Sequence, residues 1–193
     1  YNRTTKDMLM EVPVPYTSGF SSIMQNVGSM KNTGIELSFG FDVIKTRDML
    51  LQINVNYAYN KNEITELFYG YDEWPMPSYT LTYKVGEPVQ FYMPVWAGVD
   101  PADGQEMWYV PGTDGETTKD YDLASSGALD QATGKSRFAP HTGGFNLNFS
   151  WKGLSVGADF AYVLGKYMVN NDRIFTENSQ NAMSGFNQST AML

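Results

Sequence analysis

The chain has no cysteine among its 193 residues, which excludes a disulfide framework and any thiolate metal site. It has one histidine, His141. With no cysteine or second histidine to work with, it offers no recognisable catalytic arrangement and reads as an exposed loop residue. Basic residues are few: 13 Lys and Arg against 21 Asp and Glu leave a net charge of −8. That balance argues against a nucleic-acid binder, because phosphate contact needs clustered Lys and Arg. No apolar run approaches the ~20 residues of a membrane-spanning helix, and no signal segment is visible. A glycine-rich phosphate loop and a nucleophile elbow are also missing. Carboxylate pairs of the glycoside-hydrolase kind are assembled in space and leave no spacing to read.

What is plentiful is aromatic: 13 Tyr, 11 Phe and 4 Trp, beside 18 Gly. The aromatics fall into an alternating pattern. Phe145, Leu147, Phe149 and Trp151 alternate with Gly144, Asn146, Asn148 and Ser150. After Lys152-Gly153 the alternation resumes, with Leu154, Val156, Ala158, Phe160, Tyr162 and Leu164 on one side. Period 2 is the strand period, since successive side chains leave opposite faces. A two-residue loop pairs Trp151 with Leu154, Phe149 with Val156, Leu147 with Ala158 and Phe145 with Phe160, always apolar with apolar. Lys-Gly suits that loop because Gly supplies the positive φ of primed turns.

A second hairpin has the same form. Ile35, Leu37, Phe39, Phe41 and Val43 share one face, and Met49, Leu51, Ile53, Val55, Tyr57 and Tyr59 continue it after a loop over roughly 44–48. Strands are expected at about 1–10, 35–43, 49–60, 144–151 and 154–164. Residues 11–29, with Pro13, Pro15 and Gly19, read as a loop. The stretch over about 61–143, rich in Pro and Gly, reads as one large insertion. Within it Tyr79–Val85 and Pro88–Trp96 are candidate short strands. The tail over 171–193 is polar with scattered Met and Phe.

Alternation of this kind fits a soluble β-sandwich with its apolar face inward. It also fits a transmembrane β-barrel with that face outward, and mildly negative mean hydropathy suits such short strands. Strands of about ten residues tilted by ~40° span about 25 Å, the height of an outer-membrane apolar band. Aromatics stand near the strand ends: Phe41 and Trp151 by the short turns, and Tyr57, Tyr59 and Tyr162 at the far ends, as in interfacial girdles. The fold class is therefore all-β, with antiparallel hairpins forming part of a transmembrane barrel. Asn54, Asn56, Asn146 and Asn148 then face the lumen, with Glu36, Asp42 and Asp159 making that wall mildly acidic.

Two stretches invite a binding role. Asp100-Pro-Ala-Asp-Gly-Gln-Glu106 resembles part of a calcium loop but lacks the full ligand series; a β-turn with Pro at its second position explains it as well. The aromatic series including Tyr71, Trp74, Trp96 and Trp108 can stack on sugar rings. The plainer reading of each ring is packing among loops or against a partner protein.

Several phrases resemble the C-terminal half of the SusC/RagA-type TonB-linked outer-membrane transporters of Bacteroidetes. They are YNRTTKDML, GFSSIMQNVGSMKNTGIEL, NYAYNKNEITEL, VGEPVQFYMPVWAGVDPADGQEMWY and FAPHTGGFNLNFSWKGLSVGADFAYVLGKYMVN. They stand in the order of that family and cover most of 1–170. The resemblance implies a 22-stranded barrel blocked by an N-terminal plug. It further implies a TonB complex that supplies energy and a SusD-like surface lipoprotein as lid. The implied cargo is an oligosaccharide or peptide, with no cofactor and no catalysis. This chain carries no plug and no barrel closure, so the expectation is a C-terminal barrel fragment in the outer membrane. Most of 61–143 is expected to be extracellular. A secreted β-sandwich that binds carbohydrate is the alternative.

Overall fold

The computed structural model of the chain describes residues 1–76 and 80–176. Its strands are β1 (Asn2–Thr5), β2 (Leu9–Pro13), β3 (Ser22–Asn26), β4 (Gly28–Lys45), β5 (Met49–Leu67), β6 (Glu73–Pro75) and β7 (Leu81–Lys84). They continue as β8 (Gln90–Pro94), β9 (Trp96–Val99), β10 (Glu106–Tyr109), β11 (Thr117–Thr118), β12 (Asp130–Ser136), β13 (His141–Trp151) and β14 (Leu154–Leu164). Two short helices, α1 (Tyr121–Ser125) and α2 (Asn171–Thr176), stand among them.

The principal sheet is antiparallel with the order β1-β4-β5-β13-β14. Its last hairpin has the register that apolar pairing demands: Trp151↔Leu154, Phe149↔Val156, Leu147↔Ala158 and Phe145↔Phe160. The turn carries positive φ at both central residues, Lys152 (46°) and Gly153 (91°), as a type I′ turn requires. The neighbouring β4–β5 turn lies against it, because the Lys152 amide donates to the Asp48 carbonyl at 3.0 Å.

One face of this sheet carries the apolar series of all four long strands, and nothing described packs over it. Ile35, Phe39, Phe41 and Val43 on β4 and Leu154, Val156 and Phe160 on β14 all stay at least half exposed. A β-sandwich would bury this face beneath a second sheet. The other described sheets do not cover it, so the sandwich alternative has no structural counterpart among the described residues.

Several strand expectations need correction. The segment over 1–10 is two strands, because the chain turns at Asp7 (φ 54°). β1 pairs with β4, whereas β2 leaves to pair with β3 inside the segment expected to be a loop. β4 starts at Gly28 rather than near 35, and β5 runs to Leu67 rather than 60. Backbone ladders carry these extensions through the polar residues Lys31, Asn32 and Thr33, opposite Glu63, Asn62 and Lys61. The insertion is not irregular. It forms a four-stranded sheet, β12-β8-β7-β6, and a three-stranded sheet, β11-β10-β9. The candidate strand at 79–85 is β7 from Leu81, with Tyr79 outside the described residues. Pro88–Trp96 divides into β8 and the start of β9. Of the tail, α2 is described and 177–193 lies outside.

The buried core lies at the far end of β5. Ile64, Leu67, Met76, Leu81 and Val89 cluster there, with Trp74, Tyr83 and Phe91 packed against them. The insertion is tied down by backbone bonds, Ile64 N–H to the Glu87 carbonyl at 3.0 Å and Gly86 N–H to the Ile64 carbonyl at 2.8 Å. The buried Asn62 side chain accepts from the Val89 amide at 3.2 Å. β5 and β13 are direct neighbours over eleven residue pairs, so everything between them is an excursion from one end of the wall that returns to the same end.

Candidate functional site

The sheet's second face is polar, and its side chains form two groups of hydrogen bonds across the strands, one around Asp42 and one around Asn146. Gln52 Nε2 donates to Asp42 Oδ1 at 2.8 Å, and Lys45 Nζ lies 2.8 Å from Asp42 Oδ2. Asn54 Nδ2 donates to Asn146 Oδ1 at 3.3 Å, and Asn146 Nδ2 donates to Asp159 Oδ1 at 2.6 Å. Asn148 Nδ2 also donates to Asn146 Oδ1. Small residues opposite make room for these amides. A Cβ on Gly40 would lie 2.8 Å from Asn54 Oδ1, and one on Gly157 would lie 3.2 Å from Asn148 Oδ1. Asn56, paired with Ser38 and Gly144, is exposed on the same face. Thus Asn54, Asn56, Asn146 and Asn148 share one surface with Asp42 and Asp159.

The four aromatic candidates divide into two groups. Trp74 is half-buried against the core. Its ring meets Phe68 edge-on at 5.2 Å and Tyr83 at 6.1 Å. Tyr71, 53% exposed, meets the same Phe68 edge-on at 5.3 Å. Tyr69 completes this group, held by Gln25 Nε2 donating to its hydroxyl at 2.8 Å. Trp96 and Trp108 belong to the three-stranded sheet, where they are cross-strand partners next to a β-bulge. Trp96 is 61% exposed. Trp108 is half-buried beside Tyr121, with ring centroids 6.1 Å apart.

The Asp100–Glu106 stretch is a turn held by an amine. Asp100 Oδ1 accepts from the Ala102 amide at 2.8 Å, and Asp103 Oδ1 from the Gln105 amide at 3.0 Å. Lys119 Nζ reaches both carboxylates, 2.5 Å from Asp100 and 2.7 Å from Asp103. Hydrogen bonding to Lys119 holds both carboxyls below their usual range, and the same contacts raise the lysine. An ammonium thus stands where the calcium reading would place a cation. Among the described residues no group of three or more His, Cys, Asp or Glu is placed to hold a metal. Lys119 lies 16 residues beyond Asp103, so no local motif announces the contact.

His141 is not an exposed loop residue. It is the first residue of β13, half-buried, with Nδ1 2.8 Å from the Tyr57 hydroxyl and its ring 5.1 Å from that of Tyr59. Tyr162 lies across Gly143 beside it, since a Cβ on Gly143 would come within 2.5 Å of the Tyr162 hydroxyl. Tyr57, Tyr59, His141 and Tyr162 therefore form an aromatic belt at one end of the apolar face. Trp151, stacked beneath the Lys152 ammonium at 5.6 Å, marks the other end.

No protein-family model matches the chain. Among curated proteins, TonB-dependent receptor P39 of Formosa agariphila is 40% identical over 67 residues, 35% of this chain and 6% of that protein. TonB-dependent receptor SusC of Bacteroides thetaiotaomicron is 40% identical over 73 residues, 37% of this chain and 7% of that protein. Among solved structures, the RagAB peptide transporter matches with a TM-score of 0.81 and 48% identity over 92% of this chain and 20% of that one. The RagAB peptide importer in its open-open state matches with a TM-score of 0.81 and 48% identity over 92% and 19%. The chain thus spans about a fifth of the solved chains it matches. These relatives are transporters and receptors, not enzymes. The five-stranded sheet is a section of barrel wall.

Proposed function

We propose that this SusC/RagA-type chain forms part of an outer-membrane TonB-dependent importer of peptide or glycan oligomers. The observation that carries the reading is a sheet with two unlike faces, one apolar and uncovered, the other polar and hydrogen-bonded across its strands. Ten residues of tilted strand span the ~25 Å of an outer-membrane apolar band. An uncovered apolar face is stable where lipid replaces the missing core, and the closed ladder of a complete barrel leaves no open edge. On this reading the face bearing Phe39, Val55, Leu147 and Val156 meets lipid. Asn54, Asn56, Asn146 and Asn148 line the lumen, where their amides bind water or a plug.

The insertion between β5 and β13 stands at the extracellular mouth. Tyr71, Trp74, Trp96 and Trp108 are the proposed ligand contacts, Trp96 and Tyr71 offering the most free ring surface. A SusD-like lipoprotein covers this mouth, and a TonB complex drives transport through parts of the protein outside these residues. The chain itself carries out no catalysis.

Relatives that transport peptides favour a peptide cargo; the stacked aromatics suit a glycan equally. The test is purification of the natural gene product from a membrane fraction. A product of about a hundred kilodaltons, the size of a plugged barrel of this class, should sit in the outer membrane and co-purify with a lipoprotein. A soluble product of about the 21.6 kDa of these residues would reject the reading.

A further inference from the structure

The three-stranded sheet β11-β10-β9 of the insertion presents one aromatic face. On β10, Glu106 and Trp108 stand two residues apart and share that face. The register sets Val99 and Trp96 of β9 opposite them, with Ala97 as the extra residue of the bulge. On the other side of β10, Thr118 of β11 lies opposite Trp108. Val110 N–H donates to the Glu116 carbonyl at 2.9 Å, which continues this ladder and returns Glu116 to the same face. Tyr121 of α1 brings its ring to 6.1 Å from that of Trp108. Trp96, Val99 and Tyr121 are at least half exposed, and no described element covers them.

The negative charge of the chain is concentrated around this sheet. Residues 100–130 hold eight carboxylates and one lysine, whereas the rest of the chain holds 13 carboxylates and 12 Lys or Arg. That one lysine, Lys119, is taken by Asp100 and Asp103. Glu106 and Glu116, the carboxylates on the aromatic face, have no cation in ion-pair range among the described residues. Such a field repels anionic cargo and draws cationic cargo. β9 is also the edge strand of its sheet, paired only with β10. Its free side offers backbone N–H and C=O groups, to which a peptide can add as a further strand and a glycan cannot.

We propose that this face binds a Lys- or Arg-bearing segment of a peptide cargo. The proposal rests on the importer reading above and selects, within it, a basic peptide over a neutral or acidic oligomer. The ammonium or guanidinium lies over the Trp96 and Trp108 rings, whose faces attract a cation. Its aliphatic stem covers apolar ring surface, and Glu106 and Glu116 pair with its charge. The peptide backbone runs along the free side of β9.

The test uses the full-length protein and three octapeptides of one Gly-Ser frame, carrying three Lys, three Gln or three Glu, with binding read by calorimetric titration. The Lys peptide should bind most tightly and the Glu peptide least, and about 0.5 M salt should narrow the gap. The double variant E106Q/E116Q should bind the Lys peptide about fivefold more weakly, the effect of losing two exposed ion pairs, and the Gln peptide as the wild type does. Single variants E106Q and E116Q, each checked for the heat-modifiable mobility of a folded barrel, cover a double variant that does not fold. Equal affinity for the three peptides overturns the proposal. So does a folded double variant that keeps the full preference; if it also loses its co-purifying lipoprotein, the face is a protein contact instead. Binding of a neutral hexasaccharide of glucose, with no peptide bound, rejects the peptide occupant and leaves the importer reading standing. A full-length protein absent from the outer membrane rejects that reading itself.

Discussion

Phe145 and Phe160 stack across the β13–β14 pair, their centroids 4.4 Å apart and planes 15° from parallel, yet they are 38% and 50% exposed. An aromatic pair is normally the centre of a core. Here it stands in the middle of a face that no described element covers.

If lipid covers that face, charge near its middle is costly. Leu147→Arg in the full-length barrel should cost about 2–4 kcal/mol. Asn148→Arg, one residue on and on the opposite face, should cost clearly less, because a lumen-facing charge stays out of the lipid. Urea unfolding in lipid measures both, and equal costs would contradict the assignment of the two faces.

Gly143 has no room for a side chain. A Cβ there would lie 2.4 Å from the Asn56 carbonyl oxygen and 2.5 Å from the Tyr162 hydroxyl. Gly143→Ala should therefore displace Tyr162 from the belt and cost roughly 1–3 kcal/mol. Loss of the Tyr162 contribution to tyrosine fluorescence anisotropy, alongside the stability change, would show it. A neutral substitution would mean that the strands part without penalty.

The Asp100–Lys119–Asp103 clamp is sensitive to acid. Lys119 depresses both carboxyls, so their contribution is complete above the ordinary carboxylate value of about 4. It is lost as pH falls through the lowered values. The lysine, raised, stays protonated throughout. Amide exchange at Ala102 and Gln105, corrected for its intrinsic pH dependence, should be slow at neutral pH and quicken in acid. In Lys119→Ala it should already be faster at pH 7, and unchanged exchange there would remove the clamp from the account.

Trp96 and Trp74 should separate binding from folding. Trp96→Ala removes an exposed ring and should weaken cargo binding by about 1 kcal/mol with little change in stability. Trp74→Ala removes a ring packed on the core and should cost about 2 kcal/mol of stability, less than the 3–5 of a fully buried tryptophan. Calorimetric titration and thermal unfolding read the two effects, and the reverse pattern would exchange their roles.

The legible parts of this fold are those where one physical constraint governs. Along 145–160 a strict two-residue period and a two-residue turn leave a single register that keeps apolar beside apolar. Where β4 passes through Lys31, Asn32 and Thr33, the backbone ladder holds the strand and the side chains carry no period, so its start at Gly28 leaves no signal in the sequence. The strands of the insertion are hidden for a related reason. Its strands are mostly three to five residues long, interrupted by Pro, and paired with distant partners such as Gln131 with Met93. Of the site, the shared face of Asn54, Asn56, Asn146 and Asn148 follows from parity alone. The Lys119 clamp and the Tyr57–His141 bond do not, because each joins residues that only the folded chain brings together.

On the membrane reading the two faces of the wall meet two different media. Spin labels at successive positions along β5 and β13 of the full-length protein in lipid bilayers test it most directly. The scan would run from Ile53 to Asn56 and from Leu147 to Ser150, with collisional access to oxygen and to a water-soluble relaxer measured at each site. The expected result is strict alternation: oxygen access at Ile53, Val55, Leu147 and Phe149, and aqueous or occluded behaviour at Asn54, Asn56, Asn148 and Ser150. Water access at both sets, or burial of the apolar set away from lipid, would contradict it.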